Sequence, residues 1–148
     1  MMPSSTGKRP VRKAFRGITL PELLIVMVIV GILGSLAYPQ YREFAARAKR
    51  TEAIAALLRI QTNQERFYLS NNTFTNDLTK LGFTASSDAK TNSGSYSVNI
   101  TAADAASYTA VATYLNTDGE KDKCKTFTIT DGDTKTSAPD TNCWTRTR

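Results

Sequence analysis

The residues of this chain that could do chemistry are few. The 148-residue sequence contains no histidine, which excludes histidine general bases, Ser-His and Cys-His nucleophile pairs and histidine metal sites. Glu22 interrupts an otherwise apolar stretch at its start, and Cys124 and Cys143 lie in a polar, Thr-rich region. Because no nucleophile accompanied by a base can be recognised, the sequence predicts a protein that is not an enzyme, with no catalytic residues and no cofactor.

The positive charge is concentrated in the first 17 residues. The formal net charge is +6, and five basic residues without an acid precede Ile18: Lys8, Arg9, Arg12, Lys13 and Arg16. From Ile18 onward, 14 basic residues nearly balance 13 acidic ones. The charge is therefore a weak argument for nucleic-acid binding by the rest of the chain.

An uncharged stretch, residues 23–41, follows Glu22. As a helix it would be about 28 Å long, close to the ~30 Å hydrocarbon thickness of a bilayer. Because the basic residues all precede it, the positive-inside rule places residues 1–17 in the cytoplasm and the remainder across the membrane. The pattern also fits a secretory signal peptide cut after Ala37. In either case the cysteines reach an oxidising compartment, where a pair is more often a disulfide than two free thiols.

An amphipathic helix is predicted to continue from residue 41 to 69. Its predicted apolar stripe consists of Ile54, Leu57, Leu58, Gln61, Tyr68 and Leu69. The segment SNNTFTND is predicted to end the helix. Pro39 removes a backbone donor and is predicted to bend or loosen the helix, with Gly31 and Gly34 as weaker points.

Alternation with a period of two begins after Gly94 and predicts β-strands at 96–100, 108–115 and 124–130, with a further hairpin toward 135–137. Residues 77–94 are predicted to be irregular, apart from one ordered piece at 78–83. The polar joins between strands are short, which favours antiparallel neighbours. A small sheet needs a cover, and the helix stripe can supply it, so the predicted fold class is α+β.

The stretch RGITLPELLIVMVIVGILGSLAYPQY, residues 16–41, resembles the N-terminal signature of type IV pilins. In that family a basic leader ends in glycine, and the apolar helix after it carries glutamate as its fifth residue. The resemblance implies that a prepilin peptidase cuts between Gly17 and Ile18 and methylates the new amino group of Ile18. It also implies that Glu22 neutralises the amine of a neighbouring subunit. Ile18 in place of phenylalanine, and Pro21 in place of an aliphatic residue, depart from the usual pattern.

The C-terminal cysteines extend this resemblance. Cys124 and Cys143, the latter followed by Trp144, resemble the disulfide-bounded loop that closes pilin globular domains. This CW pair and the segment QERFY at 64–68 are similar to minor pilins of the PilE kind. The implied type IV pilin fold is a long N-terminal helix, membrane-spanning in its first half, packed on a small antiparallel sheet. The implied organisation is a cleaved leader at 1–17, a hydrophobic transmembrane or filament-core helix at 18–41 and a globular domain at 42–148.

The function implied by the resemblance is structural. The chain would be stored in the bacterial inner membrane as a single-pass protein and then assembled with other pilins into a pilus at the cell surface. Small residues at Gly31, Gly34, Ser35 and Ala37 would let neighbouring helices approach closely. The PilE-like segments favour a minor pilin that helps to initiate assembly, with adhesion and twitching motility as properties of the pilus.

Other interpretations stay open at this point. A DNA-uptake pilin could bind DNA through Lys121, Lys123, Lys125 and Lys135, but the interleaved acids make nucleic acid the less favoured partner. A pseudopilin of type II secretion shares the same N-terminus. A secreted or membrane-anchored domain unrelated to pili would be cut after Ala37 or not at all. The stretch TDGDTK at 130–135 lacks the length and the glutamate of a calcium loop, so no metal site is predicted.

Overall fold

The computed structural model describes residues 17–145, so the expected leader up to Arg16 and the tail with Arg146 and Arg148 lie outside the described residues. The chain divides into two compact units between Pro39 and Gln40. Every described residue of the first unit, 17–39, is exposed in the single chain. The second unit contains the buried core of the protein.

Helix α1 is assigned to Leu20–Asn71 and includes Pro39. Pro21 occupies the second helical position, where the missing N–H has no partner within the helix in any case. At the other end Asn72 adopts a positive φ of 51°, a conformation that asparagine tolerates and that stops the helix. The predicted helix end within SNNTFTND is therefore confirmed.

Five antiparallel strands form one sheet in chain order. They are β1 (Ala89–Lys90), β2 (Tyr96–Ala103), β3 (Tyr108–Tyr114), β4 (Cys124–Thr130) and β5 (Lys135–Pro139). The four strands predicted from the alternating pattern are confirmed, as is the ordered piece near residue 78, a 3₁₀ helix at Leu78–Leu81. Strand β1 was not predicted, because two residues are too few to show a periodicity.

The core of the second unit is formed by alternate residues of the strands and one face of α1. Strand side chains that are buried in it include Tyr96, Val98, Ile100, Ala110, Ala112, Phe127 and Ile129. The helix contributes Ala53, Leu57 and Ile60, each fully buried. The spacing of four and three residues keeps these helix positions on one face.

The predicted helix stripe is partly wrong. Leu57 is buried as expected, but Leu58 is 39% exposed and Leu69 is 83% exposed. The buried face includes Ile60 and Gln64 instead. A stripe predicted from large apolar residues includes Leu58 and Leu69 because of their side-chain type. It omits Gln64, because the burial of this glutamine depends on its hydrogen bonds with Thr75. The predicted α+β fold, with its long helix and antiparallel sheet, is nevertheless confirmed.

Candidate functional site

The residues predicted to take part in leader cleavage and subunit assembly, Gly17, Ile18 and Glu22, lie together at the start of α1. Gly17 and Ile18 precede the helix, and Ile18 is 74% exposed. The Thr19 N–H donates to Oε2 of Glu22 at 3.5 Å, the outer limit of a hydrogen bond. This places the carboxylate beside the backbone N–H groups of the first turn, where the helix dipole favours a negative charge.

This contact shows a local role for Glu22 that the sequence analysis missed. The signal was the spacing Thr19-x-x-Glu22, the pattern of a capping box in which the third helical residue binds the N-cap backbone. Glu22 can therefore cap its own helix. The residue whose N–H it accepts, Thr19, directly follows Ile18 in the chain.

The helix surface from residue 20 to 39 is apolar and unburied. The large side chains from Leu20 to Leu36 are each between 51% and 75% exposed. By length and composition, the helix is apolar and long enough to cross a bilayer. An apolar surface of this extent requires a bilayer or other protein surfaces to cover it.

The small residues in this surface leave room beside the backbone. A Cβ built on Gly31 or Gly34 would meet nothing within 4 Å. The Ser35 hydroxyl donates to the Ile32 carbonyl at 2.7 Å, which satisfies it within its own helix. These positions fit close helix approach. The predicted bend at Gly31, Gly34 and Pro39 stays a prediction.

Cys124 and Cys143 form a disulfide, and both residues are fully buried. The Cα atoms are 5.8 Å apart. Next to the bond, Trp144 packs edge-on against Phe127 with ring centroids 5.6 Å apart, and its Nε1 donates to the Thr136 carbonyl at 2.7 Å. The predicted C-terminal disulfide is confirmed, and it fixes the last described segment to β4 and β5.

The loop between β3 and β4 carries Lys121 and Lys123, Lys125 follows in β4, and two acids of the loop are paired with the helix. Glu120 is 7% exposed and pairs with Arg50 of α1, Nε donating to Oε1 and Nη2 to Oε2, the latter at 2.6 Å. Asp118 accepts a hydrogen bond from the Tyr114 hydroxyl at 2.8 Å and one from Lys49 Nζ at 3.4 Å. Two of the interleaved acids are therefore neutralised by cations of the helix.

These pairings shift the pKa values in the directions expected for ion pairs. The hydrogen bond to Glu120 raises the pKa of Arg50, although burial opposes the shift. The hydrogen bond to Tyr114 and the charge of Asp118 raise the pKa of Lys49. Burial works against ionisation of Asp118, but the hydrogen bonds from Tyr114 and Glu120 N–H, with the charge of Lys49, hold its pKa below the usual range.

The exposed charges at the end of this loop and the start of β4 are mostly positive. Lys121, Asp122, Lys123 and Lys125 are all exposed, which is a net charge of +2 over four residues. Lys135 is not counted with these lysines, because it forms an ion pair with Asp133, with Nζ 2.7 Å from Oδ1. Counting every acid equally understates the positive charge of this surface, because Asp118 and Glu120 are already paired with Lys49 and Arg50.

Side chains of α1 also hold the segment that follows the helix. The buried Gln64 amide donates to the Thr75 carbonyl at 2.6 Å and accepts from the Thr75 N–H at 3.1 Å. Arg59 Nη2 donates to the Gly82 carbonyl at 2.5 Å. Gly82 has a φ of 78°, a left-handed conformation that favours glycine. Sequence reasoning missed these contacts because each joins residues 11 or more positions apart.

Two family models match the chain. The model described as a prokaryotic N-terminal methylation motif matches residues 12–38. The model described as type IV minor pilin ComP, DNA uptake sequence receptor, matches residues 39–128. The two matches adjoin at residue 39, where the chain divides into its two units.

Individual relatives are similar over about half of this chain. The type IV major pilin PilA of Myxococcus xanthus is 38% identical over 46% of this chain and 31% of its own length. The type IV major pilin PilE of Neisseria gonorrhoeae is 39% identical over 51% of this chain and 45% of its own. A fimbrial protein of Pseudomonas aeruginosa is 36% identical over 50% of this chain and 52% of its own. The chain thus spans about a third to a half of the length of these relatives.

Proposed function

This chain belongs to the type IV pilin family, and from that premise we propose that it is cut between Gly17 and Ile18, methylated at Ile18 and assembled with other pilins into a filament. In this proposal residues 1–17 are the leader removed by a prepilin peptidase. Residues 18–41 anchor the chain in the inner membrane and later lie in the filament core. Residues 42–148 form the globular domain on the far side of the membrane and then on the pilus.

The observation that carries this proposal is the exposed apolar surface of α1 behind Gly17 and Ile18. A helix face with side chains 51% to 75% exposed is stable only in lipid or against similar helices. The match to the N-terminal methylation motif over residues 12–38 supports the cut at the start of this helix. In this proposal the bilayer covers the apolar surface while the chain is stored in the membrane, and neighbouring helices cover it after polymerisation.

Within the family, we propose a minor subunit that acts in filament assembly, with adhesion and twitching motility as consequences at the level of the pilus. The match of residues 39–128 to a minor pilin model supports the minor role. The relatives PilA and PilE bear the name of major pilins, so the two kinds of comparison point to different subunit roles. We give the model match more weight because, at residues 39–128, it includes β1, β2, β3 and most of β4 as well as the second part of the helix.

N-terminal sequencing and intact mass of the membrane-extracted chain test the cut. We expect a chain that starts at Ile18 and carries one added methyl group, and an uncut Gly17→Val variant as the matched control. A start at Tyr38 would refute the proposal in favour of a secretory signal peptide. Deletion of the gene tests the remaining alternative, a pseudopilin of type II secretion. Loss of secretion with normal pili would identify the chain as a pseudopilin.

A second candidate function, DNA uptake, is favoured by two observations. The family model that matches residues 39–128 is described as a DNA uptake sequence receptor. In addition, Lys121, Lys123 and Lys125 are exposed while Asp118 and Glu120 are paired with the helix. Three exposed lysines with one exposed acid among them, Asp122, have a net charge of +2, and such a surface can contact phosphates and release counterions. We therefore propose that this loop and the start of β4 form the surface that would contact DNA.

Retention of duplex DNA by the purified protein tests this second function. Replacing Lys121, Lys123 and Lys125 by alanine should weaken retention strongly and reduce the magnitude of the slope of log affinity against log salt by about three. The control replaces Lys80, Lys90 and Lys135, which removes the same charge from other exposed positions. Equal loss in both variants would show an effect of net charge alone and would remove the role given to the loop.

A further inference from the structure

The outer face of the sheet carries a groove that neither proposed function uses. It has a volume of about 410 Å³ and lies over β1, β2 and β3. Across these strands Lys90 is opposite Ser97, and Ser97 is opposite Thr113. The next row pairs Asn99 with Val111. Because side chains alternate along a strand, these residues lie on the face opposite the buried Tyr96, Val98 and Ile100.

The groove is lined mainly by short polar side chains. Asn99 Oδ1 accepts from the Ile100 N–H at 2.9 Å, which leaves its amide nitrogen as a donor. The Thr101 hydroxyl donates to the Thr109 carbonyl at 3.2 Å and keeps its acceptor capacity. Val111 and Leu115 add an apolar strip. The groove therefore offers both donors and acceptors beside a surface suited to C–H groups.

Ser97 provides an independent sign of an incomplete site. Its side chain lines the groove, the residue is 8% exposed, and Oγ has no hydrogen-bond partner within the part of the chain that the structure describes. A buried hydroxyl without a partner destabilises a protein. A ligand hydroxyl seated in the groove would supply that partner once the Ser97 side chain turns toward it.

The charge of the groove narrows the class of ligand. Asp88 and Lys90 are its two charged lining residues, so its net charge is zero. A groove with no net charge does not attract a polyanion such as DNA. A neutral ligand rich in hydroxyl groups, by contrast, can form hydrogen bonds with the polar groups of the groove. The volume is within the range of about 300–1,000 Å³ found for small-ligand sites.

We propose that this groove binds an uncharged saccharide. Ser97, Asn99 and Thr113 would bond its hydroxyl groups, and the strip formed by Val111 and Leu115 would pack against its C–H face. This site is separate from the lysine loop and from the helix surface, so it does not depend on cleavage, assembly or DNA binding.

The test uses the full chain in a detergent without a sugar headgroup. Binding is measured on immobilised lactose, maltotriose and chitotriose, beside sialylated and sulfated oligosaccharides, and then by titration in solution. We expect binding of at least one neutral saccharide. Asn99→Ala should weaken it by about fivefold or more through lost hydrogen bonds. Thr113→Tyr should fill the groove and abolish binding, while Thr136→Tyr, on the exposed strand β5, should leave it intact.

Ser97→Ala separates a ligand site from a purely structural position. Removing an unpartnered hydroxyl should keep or raise the melting temperature and still weaken saccharide binding. The proposal is overturned if no neutral saccharide binds, if charged saccharides alone bind, or if the groove variants bind as tightly as the parent. It is also overturned if Thr113→Tyr impairs DNA retention or self-association in a chain that binds no saccharide.

Discussion

The ion pair between Arg50 and Glu120 shows how single residues join the helix to the loop before β4. Both residues are buried, at 6% and 7% exposure, and two hydrogen bonds link them. Buried charges are tolerated only when they are paired in good geometry, so removal of one partner is far more costly than replacement of both. The Arg50–Glu120 pair also fixes the loop before β4 to the helix, and in this position Lys121 and Lys123 are exposed to solvent.

Glu120→Ala should therefore destabilise the globular domain by about 3 kcal/mol or more, because Arg50 is left buried without a counter-ion. Urea unfolding followed by circular dichroism measures this change. The double variant Arg50→Met and Glu120→Ala is the control, and it should be more stable than the single variant. Equal stability of the two variants would show that the loop has moved to let Arg50 reach solvent.

Asp118 links stability to pH at the same end of the sheet. Its folded-state pKa lies below the ordinary value of 3.8, so the unfolded chain binds more protons than the folded one in this range. Stability from this group is present above about pH 4 and is lost as pH falls through the lower, folded pKa. The melting temperature should fall from pH 5 to pH 3. In Asp118→Asn this part of the fall should be absent, and an unchanged pH profile would remove the role given to Asp118.

Among the elements, the C-terminal hairpin depends most on a covalent link. Strand β5 has a single buried residue, Ser137, and the disulfide holds the segment beyond it against β4. The Cys143 N–H donates to the Ser137 hydroxyl at 3.2 Å, and that hydroxyl donates to the Asp140 carbonyl at 2.7 Å, so these hydrogen bonds are local to this hairpin. The element therefore has little apolar burial of its own.

Replacing Cys124 and Cys143 by serine should lower the free energy of unfolding by about 3 kcal/mol, the loop-entropy value for a closed loop of this size. Thermal unfolding with and without reductant gives the comparison. Reductant should bring the parent protein down toward the variant and leave the variant unchanged. A variant as stable as the oxidised parent would mean that packing of Trp144 and Phe127 holds the hairpin by itself.

At the scale of the whole molecule, Glu22 has two roles that can be separated. It accepts a hydrogen bond from the Thr19 N–H in its own chain, and in the proposed filament it neutralises the amine of another subunit. A neutral side chain with an acceptor oxygen can fill the first role but not the second. The charge of Glu22 is therefore needed only for the proposed contact between subunits.

Glu22→Ala should leave the melting temperature of the globular domain unchanged while incorporation into sheared pili falls by about tenfold or more, as expected when a buried charge loses its partner. Glu22→Gln is the matched control, measured by immunoblot of the same pilus fraction. If the glutamine variant assembles normally and the alanine variant does not, helix capping is the role that matters. Normal assembly of both variants would contradict any role for Glu22 in the filament.

The sequence by itself determined the features that depend on neighbouring residues. Hydrophobic runs, alternation and turn residues fixed α1, its end near Asn71 and strands β2 to β5. The motif around Gly17 and Glu22 indicated the family, and the cysteine pair with Trp144 indicated the disulfide. Only the tertiary structure decided which face of α1 is buried and where β1 lies. It also decided that Asp118 and Glu120 are paired with the helix, because their partners Lys49 and Arg50 are about 70 residues away. The burial of a polar side chain depends on whether such a distant partner offsets its loss of water, and no local pattern records that.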